Sequence, residues 1–196
     1  GLPVLLLGHR HEGVELPALD IDYFGISQHA GRLFSAKGHE SVALIFPEVP
    51  GAGDLLSQEG FLAGVSAKAV GRPLIVKCGE GRAKIAQTVR RLLRISPKLS
   101  GVFVCGADLA LALCSCLVAS GVDIPRDISV IARDGSRALD YFFPDVTRYL
   151  GSSSSESRKL CALIRDFAIH GAVRPTVHLI LPTFHPGETL NLVPVR

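Results

Sequence analysis

Methionine is absent from all 196 residues, position 1 included. The chain opens on Gly1, Leu2, Pro3 and Val4, almost inside a strand, so the expectation is a segment of something longer. It also lacks any apolar run near the ~20 residues that a bilayer-spanning helix requires. Leu2 to Leu7 is apolar, but it has no basic leader and no small-residue cleavage site. It reads as a strand and not as a signal peptide, and no membrane partner is expected. The net charge of +3 is slight, and no basic block marks a nucleic-acid-binding arm. The five cysteines (Cys78, Cys105, Cys114, Cys116 and Cys161) are odd in number and sit mostly in apolar stretches. They read as buried, reduced thiols in a cytoplasmic protein.

The usual signatures of catalysis are missing too. The glycine-rich spots, Gly51 with Gly53 and Gly79 with Gly81, lack the G-x-G-x-x-G spacing directly after a strand that lets a backbone approach a pyrophosphate. Turn glycines explain them. No Walker-type phosphate loop occurs, and no G-x-S-x-G turn raises a serine above a sheet. His29, His39, His170 and His178 are scattered, and His9 lies with His11 on a loop. None of them shows the i, i+4 or C-x-x-C spacing of a metal site, and Cys114 and Cys116 point to different sides of a helix. No catalytic residue, metal or cofactor is expected, so an enzyme of this fold class has nothing to stand on.

What is present is a globular composition, 47% hydrophobic and 20% charged, in a chain long enough to bury a real core. Strand-like and helix-like segments alternate. Strands are expected at Val4–Leu7, Val42–Phe46, Leu74–Val76, Val102–Cys105, Ile128–Ala132, Val146–Leu150 and Val177–Leu181. Helices are expected over 23–37, 54–69, 80–95, 108–120 and 153–170, with a short apolar turn at 137–143. Asp54 and Asp108 are expected to open their helices as caps. Apolar strands too short to be helices, alternating with helices, imply an α/β fold with a doubly wound parallel sheet. Arg90, Arg91 and Arg94 lie opposite Ile85, Val89, Leu92 and Ile95 on one helix. That is the pattern of a solvated face, with a phosphate-binding stripe as the alternative.

The stretch from Gly121 to Asp134 is the most informative. Gly121 supplies a left-handed helix stop, Pro125 blocks a restart, and a β-branched run then ends at the carboxylate of Asp134. Ligands of open α/β sheets sit outside the carboxyl ends of the strands. Asp134, Asp108 and Asp22 all fall at such edges, where each is either a ligand acceptor or a cap or turn residue. Ser153 to Glu156 fits a capping box, with an anion or sugar site at a helix N-terminus as the alternative.

Taken in order, these motifs resemble the lactose-repressor/galactose-repressor (LacI/GalR) family of bacterial transcriptional regulators. The resemblance runs through Leu2–Leu7, Asp22, Leu33 to Ile45 and Glu59-Gly60-Phe61. It continues through Cys105 to Ala112 and Gly121 to Asp134, and ends with Pro144 and Thr147. It implies a type I periplasmic-binding-protein-like fold with two α/β subdomains and a small, sugar-like effector in the cleft between them. Residues 23–147 would form a complete C-terminal subdomain, and 1–22 with 148–175 a remnant of the N-terminal one. A DNA-binding head preceding this region would read the operator, and effector binding would control that head allosterically. A solute-binding protein of a sugar transporter is the alternative on the same fold.

The resemblance also implies site residues. Asp134 matches an effector-contacting aspartate, and Asp108 matches the aspartate of the family's strand-to-helix turn at the effector site. Ser57 stands where the family usually has an arginine, and Ala107 where it has an asparagine. Asp22 and Ser153 complete the set, and Arg10, Arg133 and Arg148 are candidates to supply the displaced cation. In the family, dimers form through the C-terminal subdomain. Helix 108–120 and the apolar segment 137–143 match those surfaces, and core packing is the other reading of the aromatics in the latter.

Overall fold

The alternation written in the sequence becomes nine strands and five α-helices among the described residues. These are β1 (Leu6–Leu7), β2 (Ala18–Ile21), α1 (Tyr23–Ala36), β3 (Val42–Pro47), α2 (Ala52–Gly64), β4 (Leu74–Cys78) and α3 (Arg82–Ile95). They continue as β5 (Gly101–Val104), α4 (Ala107–Ala119), β6 (Ser129–Ala132), β7 (Thr147–Leu150), α5 (Ser153–His170), β8 (Val177–Ile180) and β9 (Thr183–His185). A 3-10 turn at Leu139–Tyr141 lies within the expected segment 137–143. The computed structural model describes residues 4–65, 72–151, 153–171 and 176–193, and only the backbone of Ser153 and Ser155. The last residues of the helix expected over 54–69 therefore lie outside the described residues.

The chain divides into two units, Gly1–Asp22 with Gly151–Thr183, and Tyr23–Leu150 with Phe184–Arg196. In the smaller unit, β1, β2 and β8 form a parallel sheet in that order. Leu19, Leu163 and Ile180 make its small core, with Leu5 and Leu160 packed against it. Strand β1 starts two residues later than expected, at Leu6, and ends where expected, at Leu7, before Gly8 turns the chain at φ +109°. Strand β2 has no counterpart in the sequence reading, since four residues interrupted by Asp20 make too short an apolar run to register.

The larger unit is a six-stranded sheet in the order β4-β3-β5-β6-β7-β9. Its pairings from β4 through β7 are all parallel. Side chains alternate across a strand, so adjacent residues serve opposite faces. Ala43, Ile45, Val102, Val104, Val130 and Ala132 line one face, in a cluster with Ile85, Val89 and Leu92 of α3 and with Leu113 and Leu117 of α4. On the other face Phe103 stacks on Phe61 of α2 at 5.5 Å, and Phe61 meets Phe34 of α1 edge-on at 6.2 Å. Helices on both faces make the sheet doubly wound, which is why its strands read as continuous apolar runs.

Two expected caps are corrected by the structure. Helix α2 begins at Ala52 with Gly51 as N-cap, and Asp54 sits in the first turn, accepting a hydrogen bond from the Gly51 N–H at 2.9 Å. Helix α4 begins at Ala107 with Gly106 as N-cap, and Asp108 is an exposed first-turn residue. In both, glycine makes the turn out of the preceding loop and the carboxylate follows it. Helix α3 has the expected amphipathic pattern, with Ile85, Val89 and Leu92 buried and Arg90, Arg91 and Arg94 exposed. Ile95 is half exposed.

The tail after β9 is stitched to the larger unit. The Val130 N–H donates to the Thr189 carbonyl at 2.7 Å, and the buried Thr189 hydroxyl donates to the Val130 carbonyl at 2.7 Å. The Asn191 N–H reaches Ser129 Oγ at 3.1 Å.

Candidate functional site

At the carboxyl ends of β5 and β6 the larger unit gathers its charged groups. Strand β6 stops at Ala132, and the next residue, Arg133, turns its side chain toward the start of α2. Its Nη1 donates to Asp54 Oδ1 at 2.7 Å and to Ser57 Oγ at 3.1 Å. Its Nε donates to Asp134 Oδ2 at 2.9 Å. The guanidinium carbon lies 4.5 Å from the centre of the Tyr23 ring, within cation–π range. Arg133 is only 9% exposed, so its charge is held where an unpaired cation would be costly. Burial works against that charge, but the carboxylates of Asp134 and Asp54 beside it outweigh the penalty and push its pKa up.

The two carboxylates also hold backbone. Asp134 Oδ2 accepts the Gly106 N–H at 2.8 Å. Gly106 has φ +102°, a conformation glycine adopts without strain, and it makes the tight turn from β5 into α4. Asp54 binds the N-cap N–H of α2 in the same way. Two helix N-termini, where backbone amides favour negative charge, are thus each met by a protein carboxylate. Burial pushes the nearby Cys105 thiol up to about 12, which keeps it protonated and unreactive.

The expected site residues separate into two groups. Asp134 and Ser57 come together through Arg133; the Ser57 hydroxyl is fully buried and also donates to the Gly53 carbonyl at 2.8 Å. Ala107 follows Gly106 and packs partly buried on the core, and Asp108 beside it is exposed. Asp22, Arg10 and Ser153 belong to the smaller unit. There the Asp22 N–H donates to the Ile180 carbonyl at 2.8 Å, and Arg10 Nη1 to the Leu16 carbonyl at 3.3 Å. The side chain of Ser153, and with it the capping box, lies outside the described residues.

Of the three candidate cations, Arg148 is committed to packing. It is buried and donates to Asp140 at 2.7 Å, to Asp145 at 2.7 Å and to the Val146 carbonyl. Asp54 and Tyr23 were legible in sequence only as helix-start residues, because their partner lies far along the chain. A separate cavity of 1020 Å³ opens between α3 and α4 and reaches Gly106, Ala107 and Asp108 at its upper end. The Arg133 cluster is not part of its lining.

The model of the periplasmic binding protein-like domain matches residues 32–190. The chain belongs to that family. No curated protein matches it. Among solved structures, this periplasmic-binding-protein-like domain is similar to a LacI-family transcriptional regulator from Enterococcus faecium with bound ribose. That pair is 20% identical, with 98% of this chain and 72% of the other covered at a TM-score of 0.83. A sugar-binding LacI-family regulator from Escherichia coli, complexed with phosphate, is 18% identical over 97% of this chain and 69% of its own, with a TM-score of 0.81. The transcriptional regulator CelR, in complex with cellobiose, is 21% identical at a TM-score of 0.80; this chain covers 58% of it. At these identities the likeness establishes the fold, an α/β periplasmic-binding-protein-like architecture.

Proposed function

We propose that this domain is the effector-binding and dimerising region of a LacI/GalR-type bacterial transcriptional regulator. In this reading the larger unit is the C-terminal subdomain and the smaller one the remnant of the N-terminal subdomain. The effector is a sugar-like metabolite held at the carboxyl edge of the β4–β9 sheet, with Asp134 as principal acceptor and Asp108 beside it. Ser57 and Ala107 shape the wall. Binding shifts the population of conformers, and operator affinity changes through a DNA-binding head outside this chain. The regulator acts in the cytoplasm and needs no covalent chemistry.

One observation carries the reading. Asp134 is fixed at a strand end by Gly106 and Arg133 through Oδ2 alone, and Oδ1 accepts no hydrogen bond among the described residues. A preoriented carboxylate with one open oxygen suits a hydroxyl donor. Neighbours of this fold carry ribose, cellobiose and, in a regulator from Arthrobacter, lactose.

The test is calorimetric titration of the chain with pentoses, hexoses and their disaccharides, repeated on Asp134→Asn. The expected result is saturable binding by at least one of them, weakened about tenfold or more by the substitution, the scale of a lost charge-assisted hydrogen bond. Binding that ignores the substitution removes Asp134 from the site. In the regulator that contains this region, binding without any change in operator affinity refutes the regulatory role and favours a transport-associated solute-binding protein.

A further inference from the structure

Helices α1 and α2 meet backbone to backbone, because Gly31, Gly60 and Gly64 take side chains out of their contact. Helices α3 and α4 also carry small residues, yet the space between them stays open as the cavity of 1020 Å³. Ala112, Ser115, Cys116 and Ala119 follow the i, i+3, i+4, i+7 spacing of one helical flank, and Ile85 and Ala86 line the cavity from α3. This flank differs from the others that α4 presents. Leu113 and Leu117 belong to the core, and the exposed Val118 is not part of the lining.

The cavity has depth as well as length. Its floor lies where strands end, at Pro47 of β3, Cys78 of β4 and Cys105 just after β5. Cys78 and Cys105 are buried, so the space narrows onto interior thiols and is no shallow face. Ionised groups are confined to the helix starts, where Glu80, Arg82 and Asp108 sit. The remaining lining offers alkyl groups, thiols and two serine hydroxyls, and that of Ser120 already donates to the Cys116 carbonyl at 2.8 Å.

We propose that this cavity is a second ligand site, one that takes an uncharged, largely apolar small molecule of two or three rings. Its volume stands at the upper end of the range of about 300–1,000 Å³ typical of such sites. An apolar guest restores the close contacts that the walls forfeit when only water faces them. An ion would leave water for walls that cannot pair it, at a cost an uncharged guest does not bear. The site goes beyond the effector reading above, because the Arg133 cluster does not line it. The two meet at the turn from Gly106 to Asp108, where the Gly106 N–H donates to Asp134.

N-phenylnaphthylamine, an uncharged probe that brightens on leaving water, tests the proposal on the whole chain. Saturable binding of one molecule per chain is expected, with a Kd on the order of 10 µM for a ligand of that size. Anilinonaphthalene sulfonate, which keeps the rings and adds an anion, should bind at least about tenfold more weakly. Ala112→Phe places a ring in the cavity from α4 and should weaken the uncharged probe by about tenfold or more without lowering the melting temperature. Should Ala112→Phe not fold, the thiols of the unaltered chain decide. Cys116 lines the cavity, and Cys161 is exposed on α5. Saturating probe should slow alkylation of Cys116 by N-ethylmaleimide several-fold and leave Cys161 unchanged, as read by peptide mass spectrometry.

Absence of saturable binding by the uncharged probe overturns the proposal. So does binding that ignores Ala112→Phe or leaves Cys116 as reactive as before. A sulfonate that binds as tightly as its uncharged parent overturns the ligand class. Protection of Cys116 on raising the chain concentration, with no probe present, would show that a second copy fills the cavity, and would overturn the small-molecule site as well.

Discussion

Arg133 follows a short apolar strand, and nothing in its local sequence separates it from Arg10 or Arg148 as a source of positive charge. Its role is set by partners that approach it in space: Asp54, 79 positions away in the chain, and Ser57, 76 positions away. Local periodicity carries no information about such a pairing, so the cap reading of Asp54 was the natural one. His39 teaches the same lesson in the core. It is 1% exposed, with Nε2 at 3.1 Å from the Asn191 carbonyl and Nδ1 at 3.0 Å from Ser100 Oγ. Burial lowers its pKa from the usual 6.5, and Lys37 adds to the effect against the raising influence of those hydrogen bonds. The unfolded state therefore binds the proton more readily. Stability tied to His39 is present above pH 6.5 and declines as pH falls below that value. Melting temperatures from pH 8 to pH 5 should fall more steeply below pH 6.5 for the unaltered chain than for His39→Gln. Parallel profiles would show that His39 is not protonated on unfolding.

Among the elements, the helices and seven of the nine strands were legible, because their periods of 3.6 and 2 are written in burial. Strands β2 and β9, of four and three residues, were not, since each is held by its neighbours and carries no pattern of its own. Helix starts were misplaced by two residues at α2 and at α3 and by one at α4, and a glycine occupies the cap in all three. Glycine also decides how α1 and α2 meet. A Cβ on Gly31 would lie 2.7 Å from the Phe61 carbonyl oxygen, and one on Gly60 or Gly64 would collide with the backbone of Phe24 or Gln28. These helices touch backbone to backbone, and the obstructing atoms cannot rotate away. Gly60→Ala should destabilise the chain by about 1–3 kcal/mol in denaturant titration, as overpacking does. A loss below about 0.5 kcal/mol would mean that the helix pair can slide apart at little cost.

At the scale of the whole molecule, α4 stands out because it carries one charged residue, Asp108, and is apolar nearly all round. Leu113 and Leu117 face the core, yet Val118 remains 52% exposed, and Phe143 beyond the 3-10 turn is 88% exposed. The exposed Phe143 weighs for the interface reading of segment 137–143, while Leu139 of the same segment is buried in the core. A helix without a polar face calls for a partner, and in the dimer proposed above a second copy of the chain would supply one isologously. Sedimentation analysis should find a dimer for the unaltered chain and a monomer for Val118→Asp, with a melting temperature within a few degrees once concentration effects are matched. A monomeric unaltered chain, or a dimer indifferent to Val118→Asp, would place the interface elsewhere.

The sequence by itself determined the class of fold. Burial on both faces of a parallel sheet forces continuous apolar strands, and those are readable residue by residue. It also determined that Gly121, at φ +82°, ends a helix, and that Asp134 follows a strand. Only the tertiary structure decided what surrounds that carboxylate. The groups that fix its charge come from β6, the start of α2 and the turn before α4, segments brought together by the winding of the sheet and not by proximity along the chain.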